Sequence, residues 1–140
     1  MIALGVDPGT AITGYGIVKD SPDGRLKKIS YGVIRTDSKT PYSLRLKKIH
    51  EEIANLIEQY KPEVVAIEQL FFNKNVKTAL SVAQSRGVVI LTATLAGLEL
   101  AEYTPLQVKE AVHGYGRAEK AQVQQMVKTL LGLEEIPKPD

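Results

Sequence analysis

Cysteine is absent from the chain, and histidine occurs only twice. The absence of cysteine excludes disulfides, thiolate nucleophiles and cysteine-ligated zinc, and two histidines leave little for imidazole-based metal binding. The N-terminus lacks the basic segment of a signal peptide, and no apolar run approaches the roughly eighteen residues of a membrane span. We therefore expect a cytoplasmic protein with no membrane partner, in which carboxylates carry any chemistry.

The residues that are present have the composition of an ordinary globular domain. The 140 residues are 44% hydrophobic and 24% charged, with a net charge of +2, so we expect one folded domain over residues 1–140. Residues 19–50 carry nine Lys or Arg against three acids, whereas residues 51–68 carry one against five. Such a basic run is more often a solvated hairpin and helix face than a binding surface, although it permits a polyanionic partner.

Hydrophobic patterning predicts a mixed α/β fold in which three strands are followed by a helix, a strand, a long helix, a strand and further helices. Short turns between the first three strands favour an antiparallel meander. Thr40-Pro41 is predicted to cap and open the first helix, and the long apolar helix is predicted over 76–98. The predicted strands lie at about 1–6, 14–18, 26–34, 64–67 and 100–103.

Two carboxylates follow predicted strands. Asp7 comes at the end of the first strand and Glu68 at the end of the fourth, the edge where α/β sheets place ligand sites. Each alone has an ordinary explanation as a turn residue or a side chain leaving the sheet. If the two strands are neighbours, the carboxylates converge, and their repulsion favours a divalent cation held by oxygen ligands. Phosphodiester hydrolysis with two metal ions is the usual chemistry of such a site.

Two phenylalanines lie shortly after Glu68 in the sequence. Phe71 and Phe72 follow Glu68 in a polar segment that also contains Lys74. For adjacent aromatics, at least one ring normally packs inward. The other ring would be exposed beside the acids, where it can stack on an unpaired base.

Basic residues group around a glycine-containing loop between two predicted helices. Lys109, Arg117 and Lys120 surround this loop, and its backbone N–H groups could also bind phosphate. Singly, such residues are more often solubilising charges. Their grouping is what favours a nucleic-acid ligand.

Together these segments resemble the RuvC family of bacterial Holliday junction resolvases over essentially the whole chain. The resemblance implies an RNase H-like fold, a mixed five-stranded sheet flanked by helices. It also implies a homodimer that binds a four-way DNA junction and cuts it symmetrically in recombination and repair, with RuvA and RuvB as helicase partners. The principal matching segments are GVDPGT at 5–10, TGYG at 13–16, AIEQ at 66–69, QSRG at 84–87 and AEKAQVQ at 118–124.

The resemblance also assigns roles to single residues. It implies that Asp7 and Glu68 are catalytic ligands of Mg²⁺, with Mn²⁺ as an alternative and two ions per active site. Phe71 would engage a base near the cut, and Lys109 and Lys120 would contact phosphate or the active site.

The family completes its site with a D-x-x-D-A motif at the start of one more helix, after a proline-containing turn. Pro137–Asp140 supplies the turn, so this helix is expected to be missing. Asp140 is either the first acid of the motif or the residue directly before that acid. In the first case it would be a catalytic metal ligand. We expect a chain that ends here to cleave very slowly, because its metal site is short of ligands.

Two other interpretations stay open. The D-x-G-T sequence at residues 7–10 also occurs in actin-like kinases and ATPases, although those enzymes close two domains on a nucleotide. The second interpretation is a non-catalytic module that binds junctions. The presence of both Asp7 and Glu68 argues against it.

Overall fold

A computed structural model describes residues 1–69, 76–114 and 119–138 of the chain. The strands described are β1 (Ile2–Asp7), β2 (Ile12–Asp20), β3 (Leu26–Arg35), β4 (Val64–Glu68) and β5 (Glu99–Tyr103). The helices described are α1 (Tyr42–Tyr60), α2 (Val76–Leu95), α3 (Pro105–His113) and α4 (Lys120–Leu131).

The five strands form one mixed sheet in the order β3-β2-β1-β4-β5. The first three strands pair antiparallel, whereas β4 runs parallel to both β1 and β5. This arrangement confirms the predicted meander and the mixed five-stranded sheet. It also makes β1 and β4 neighbours, which was the condition for Asp7 and Glu68 to converge.

One face of the sheet packs against α1 and α2 and forms the hydrophobic core. Because side chains alternate along a strand, every second residue of β1 and β4 contributes to this face. Burying these apolar side chains is the main force that holds the two helices on the sheet. The buried residues are Leu4, Val6, Ile17, Ile34, Ile49, Ile53, Val65, Ile67, Val89 and Ala93.

The opposite face carries small residues in its centre. The strand register places Gly16, Gly5, Ala66 and Ala101 in one row across four strands. Without large side chains this row forms a flat floor, and a cleft opens above it.

Two local predictions need correction. The long helix α2 ends at Leu95 instead of residue 98, because Gly97 adopts a left-handed φ of 75° and the N–H of Leu98 donates to the carbonyl of Ala93. Thr40 does not cap α1, since the N-cap is Pro41 and no side chain caps the helix. The start of α3, in contrast, is capped by Thr104, which forms a reciprocal capping box with Gln107.

By length and composition alone, one described helix could cross a membrane, the segment Thr78–Leu95 of α2, with a mean hydropathy of 1.2. The sequence analysis found no such segment. In the fold, α2 packs against α1 and β5, and it buries Ser85 and Val89. Its Arg86 pairs with Glu102 of β5. These contacts attach one face of α2 to the globular core, and the opposite face is exposed.

Candidate active site

Asp7 and Glu68 occupy the same level of the sheet on adjacent strands. Val6 pairs with Ile67 in the parallel register of β1 and β4, so the next residue on each strand is one of the two acids. In-register residues of neighbouring strands project from the same face, here the face that carries the glycine and alanine floor. The structure therefore brings the two predicted carboxylates together.

The protein environment makes both carboxylates harder to ionise. Loss of water contact raises the pKa of Asp7 from its ordinary value of 3.8, although the side chain stays exposed at the cleft mouth. For Glu68, desolvation is again the largest cause of a raised pKa, and the nearby charge of Asp7 raises it further. Two acids that repel each other in a partly dry cleft favour either protonation or a bound cation.

Two lysines from different helices offset this effect. Lys120, the first residue of α4, lowers the pKa of Asp7, and Lys109 of α3 lowers that of Glu68. Neither lysine forms an ion pair within 4.0 Å in the described part of the chain. The two lysines predicted from sequence therefore lie near the acids, with their ammonium groups available to a ligand.

The acids border a cleft of about 460 Å³. Tyr103 lies beside Glu68 in the register of β4 and β5, and Val108 and Val127 form part of the opposite wall. Sequence reasoning missed Tyr103 as a site residue. Its place beside Glu68 follows from the pairing of β4 with β5, which no local sequence pattern signals.

The loop after Asp7 is held by a network of buried hydroxyl groups. The Thr10 hydroxyl lies 2.8 Å from the hydroxyl of Ser85 and donates to the carbonyl of Ser81 at 3.1 Å. Glycine is required at position 9, because a β-carbon there would lie 2.3 Å from the carbonyl oxygen of Ile12. The network ties the β1–β2 loop, and with it Asp7, to α2.

The donor set fits a hard divalent cation. Carboxylate oxygens are the preferred ligands of Mg²⁺ and Mn²⁺, and water or substrate phosphate usually fills the other positions. Within the described ranges, no group of three or more acidic, histidine or cysteine side chains is arranged to hold a metal ion. The described residues thus offer two candidate ligands, Asp7 and Glu68.

Four further predicted site residues cannot be placed. Phe71, Lys74, Arg117 and Asp140 lie outside the residues that the structure describes. Their roles stay predictions.

Comparison with known proteins decides the family. The family model described as "Crossover junction endodeoxyribonuclease RuvC" matches residues 3–140. The chain belongs to the RuvC family. Members of this family are metal-dependent endonucleases that hydrolyse phosphodiester bonds, which confirms the endonuclease interpretation.

Individual relatives agree with this assignment. The RuvC of Syntrophomonas wolfei is 55% identical over 140 residues, which span all of this chain and 81% of the relative. A solved structure titled "T. thermophilus RuvC in complex with Holliday junction substrate" matches with a TM-score of 0.93 at 34% identity, covering all of this chain and 85% of the other.

A more distant structure supports the fold alone. The yeast mitochondrial Holliday junction resolvase Ydc2 matches 91% of this chain and 60% of its own, with a TM-score of 0.67 at 16% identity. The RNase H-like fold implied by the resemblance is confirmed by these RuvC-like neighbours.

Proposed function

We propose that this RuvC-family chain resolves four-way Holliday junctions by paired, symmetric hydrolysis of phosphodiester bonds. The observation that carries the proposal is that Asp7 and Glu68 lie side by side on adjacent strands at the cleft. Lys120 lies near Asp7, and Lys109 lies near Glu68. The RuvC of T. thermophilus, 34% identical, is described in complex with a Holliday junction substrate.

Asp7 and Glu68 are proposed to hold Mg²⁺, or alternatively Mn²⁺, with two ions per active site. Bound there, the ions would supply an activated water nucleophile and stabilisation of the leaving oxygen. Asp140 is retained as the candidate for a third acid, with the alternative that it directly precedes that acid.

The other residues are proposed to bind and orient the DNA. Lys109 and Lys120 neutralise phosphate charge next to the acids, and their positions near Glu68 and Asp7 support this role. The glycine and alanine floor allows a sugar-phosphate backbone to approach closely.

Three residues outside the described ranges complete the proposed DNA contacts. Phe71 is proposed to stack on a base that unpairs near the cut. Lys74 and Arg117 are proposed to contact phosphates.

A homodimer would match the symmetry of the substrate, because two equivalent strands need two equivalent active sites. An exposed stripe on α2 supports this proposal, since its residues recur every three or four positions and face away from the core. Gly87 in its centre has open space around it, which permits close approach of a second helix. The stripe consists of Leu80, Gln84, Gly87, Leu91 and Leu95.

The proposal also covers the partners, the domain organisation and the localisation of the protein. Family membership supports RuvA and RuvB as partners of the dimer. Residues 1–140 form a single domain, as their one sheet and common core support. The protein acts in the cytoplasm without a membrane partner, because α2 is accounted for by packing in the fold.

The experiment uses a synthetic four-way junction and a linear duplex of the same sequence as the control. We expect Mg²⁺-dependent nicks at symmetric positions in two opposed strands of the junction, with slow cleavage by a chain that ends at Asp140, and no comparable cleavage of the duplex. Equal cleavage of both substrates, or tight ATP binding without nuclease activity, would contradict the proposal.

A further inference from the structure

A group of basic side chains lies at the sheet edge that carries Asp7. Arg35 is the last residue of β3 and pairs with Ile12, the first residue of β2. Because β2 begins five residues after Asp7, Arg35 and the start of α1 lie at this same edge. We call this group the basic ridge, and it consists of Arg35, Lys39, Arg45 and Lys48.

Two side chains of the ridge are held in place by neutral oxygens. Arg45 donates from Nε to the hydroxyl of Thr36 at 2.8 Å, and that hydroxyl donates to the carbonyl of Thr10 in the loop after Asp7. Lys48 donates from Nζ to the carbonyl of Arg35 at 2.6 Å. The ridge is thus tied directly to the loop that follows the candidate metal ligand.

The ridge charges are not neutralised by carboxylates. Among the described residues, none of the four forms an ion pair, whereas the neighbouring Lys47 pairs with Glu51 at 3.5 Å. Asp37 is the one acid between positions 35 and 48. Its carboxylate accepts the backbone N–H of Lys39 at 2.8 Å. Four cations that lack carboxylate partners create a positive potential at this edge.

The order of charges along α1 opposes helix stability. The helix dipole is positive at the N-terminus and negative at the C-terminus, so it favours acids in the first turn and bases in the last turn. The first turn of α1 has no acid and its last turn has no base. The basic residues of α1 lie in its first half, and Glu51, Glu52 and Glu58 follow them. This order costs stability in the free protein and is compensated when an anion binds at the basic end.

An open groove, lined by both polar and apolar residues, lies beside the ridge. It encloses about 490 Å³ and is lined by Arg45 together with Gly9 and Thr10 of the loop and Ser81 of α2. This groove is separate from the cleft that contains the acids, which lies on the opposite face of the sheet.

We propose that the basic ridge binds the phosphate backbone of a duplex arm of the DNA, outside the cleavage cleft. The inference rests on the proposed function, because a strand cut at Asp7 must continue past this sheet edge into flanking duplex. The closely spaced phosphates of a duplex suit a group of cations without carboxylate partners in the described ranges. The sequence analysis favoured a solvated face for this basic run.

The test compares two triple variants that each remove three positive charges. Arg45 is left intact because its hydrogen bond to Thr36 is structural. The ridge variant is R35Q/K39Q/K48Q, and the matched control at the opposite edge of β2 and β3 is K19Q/K27Q/K28Q. A charge-preserving variant, R35K/K39R/K48R, separates loss of charge from damage to the fold.

Binding is measured by fluorescence anisotropy in EDTA, with a four-way junction and a linear duplex, over a range of salt concentrations. Each lost phosphate contact reduces the slope of log K against log salt by about 0.9, so the ridge variant should lose about 2 to 3 units of slope. We expect its affinity for both DNAs to fall at least about tenfold at low salt. The control and the charge-preserving variants should stay near wild type.

An unchanged slope in the ridge variant, or an equal loss in the control variant, would overturn the inference. So would a loss of binding to polyglutamate with DNA binding unchanged, which would assign the ridge to an acidic protein partner. Failure of the proposed function is recognised separately, because the wild type would then bind duplex through the ridge but neither prefer nor cut the four-way junction.

Discussion

Asp7 and Glu68 stand side by side on adjacent parallel strands, and the charge of Asp7 raises the pKa of Glu68. This relationship links the fold to the chemistry, since the parallel pairing of β1 and β4 forces two acids together in a cleft that partly excludes water. The protein carries this repulsion in the absence of a cation.

The first prediction concerns the pH dependence of stability in EDTA. Both folded-state pKa values are raised above their ordinary values of 3.8 for Asp7 and 4.5 for Glu68. As pH rises from these values through the raised ones, the folded state holds more protons than the unfolded state. The free energy of unfolding therefore falls in that window and stays lower above it.

Asp7→Asn removes one raised pKa and the repulsion that acts on Glu68. In EDTA at neutral pH, thermal melting should show a higher Tm for this variant than for wild type, and a smaller decline of Tm from acid to neutral pH. Glu52→Gln, at an exposed position of α1, is the control and should change little. A lower Tm for Asp7→Asn would show that the repulsion is not a cost to the fold.

The second prediction concerns the lysine beside Glu68. Lys109 lowers the pKa of Glu68, so Lys109→Met should raise that pKa further in the metal-free protein. Carboxyl ¹³C NMR titration measures the change directly. As a control, Lys128→Met at the far end of α4 should leave the pKa of Glu68 unchanged. An unchanged Glu68 pKa in Lys109→Met would show that the two groups are not close.

The third prediction concerns the hydroxyl network behind Asp7. Thr10→Val keeps the side-chain shape but removes a buried hydroxyl that contacts Ser81 and Ser85. Leaving those partners unsatisfied should lower the free energy of unfolding by about 1–3 kcal/mol in chemical denaturation.

The control for this substitution lies on α2. Thr94→Val removes an exposed hydroxyl that donates to the carbonyl of Ile90, and it should cost within about 0.5 kcal/mol. Equal losses in the two variants would mean that the buried network contributes nothing specific.

The fourth prediction concerns the α2 stripe. Leu91 is 57% exposed and Leu95 is 71% exposed, and a glutamate at either position should prevent two stripes from packing. Sedimentation velocity should then show a monomer, whereas we expect the wild type to sediment as a dimer. Leu130 on α4 is 48% exposed, and the control variant Leu130→Glu should remain dimeric. If Leu91→Glu is also dimeric, the interface lies elsewhere.

The element order and the position of each acid at a strand end were predictable from sequence because both depend on local patterns. The convergence of the acids was predicted only on the condition that β1 and β4 are neighbours, which the structure meets. Alternating and helical hydrophobic periods locate the elements, and Asp7 and Glu68 each end a strand. The register that sets Tyr103 beside Glu68 was not predictable, because strand neighbours depend on long-range packing. The Thr10–Ser85 hydrogen bond joins residues 75 positions apart, and no local pattern signals it.

The missing cap of α1 shows a different limit. Thr40 has the side chain of a good cap, but its backbone N–H is used in a turn with the carbonyl of Asp37, and Pro41 occupies the cap position instead. Local propensity was overridden by the geometry of the turn that leads from β3 into the helix.

The most direct test of the central claim is single-turnover cleavage of a four-way junction by the full-length protein carrying Glu68→Gln. Loss of one proposed metal ligand should slow cleavage in Mg²⁺ by at least about 100-fold, because changes in groups that only support ligands already cost 10–100-fold. Junction binding should persist or tighten, and Glu63→Gln should cut normally. A Glu68→Gln protein that cuts at the wild-type rate would contradict the account.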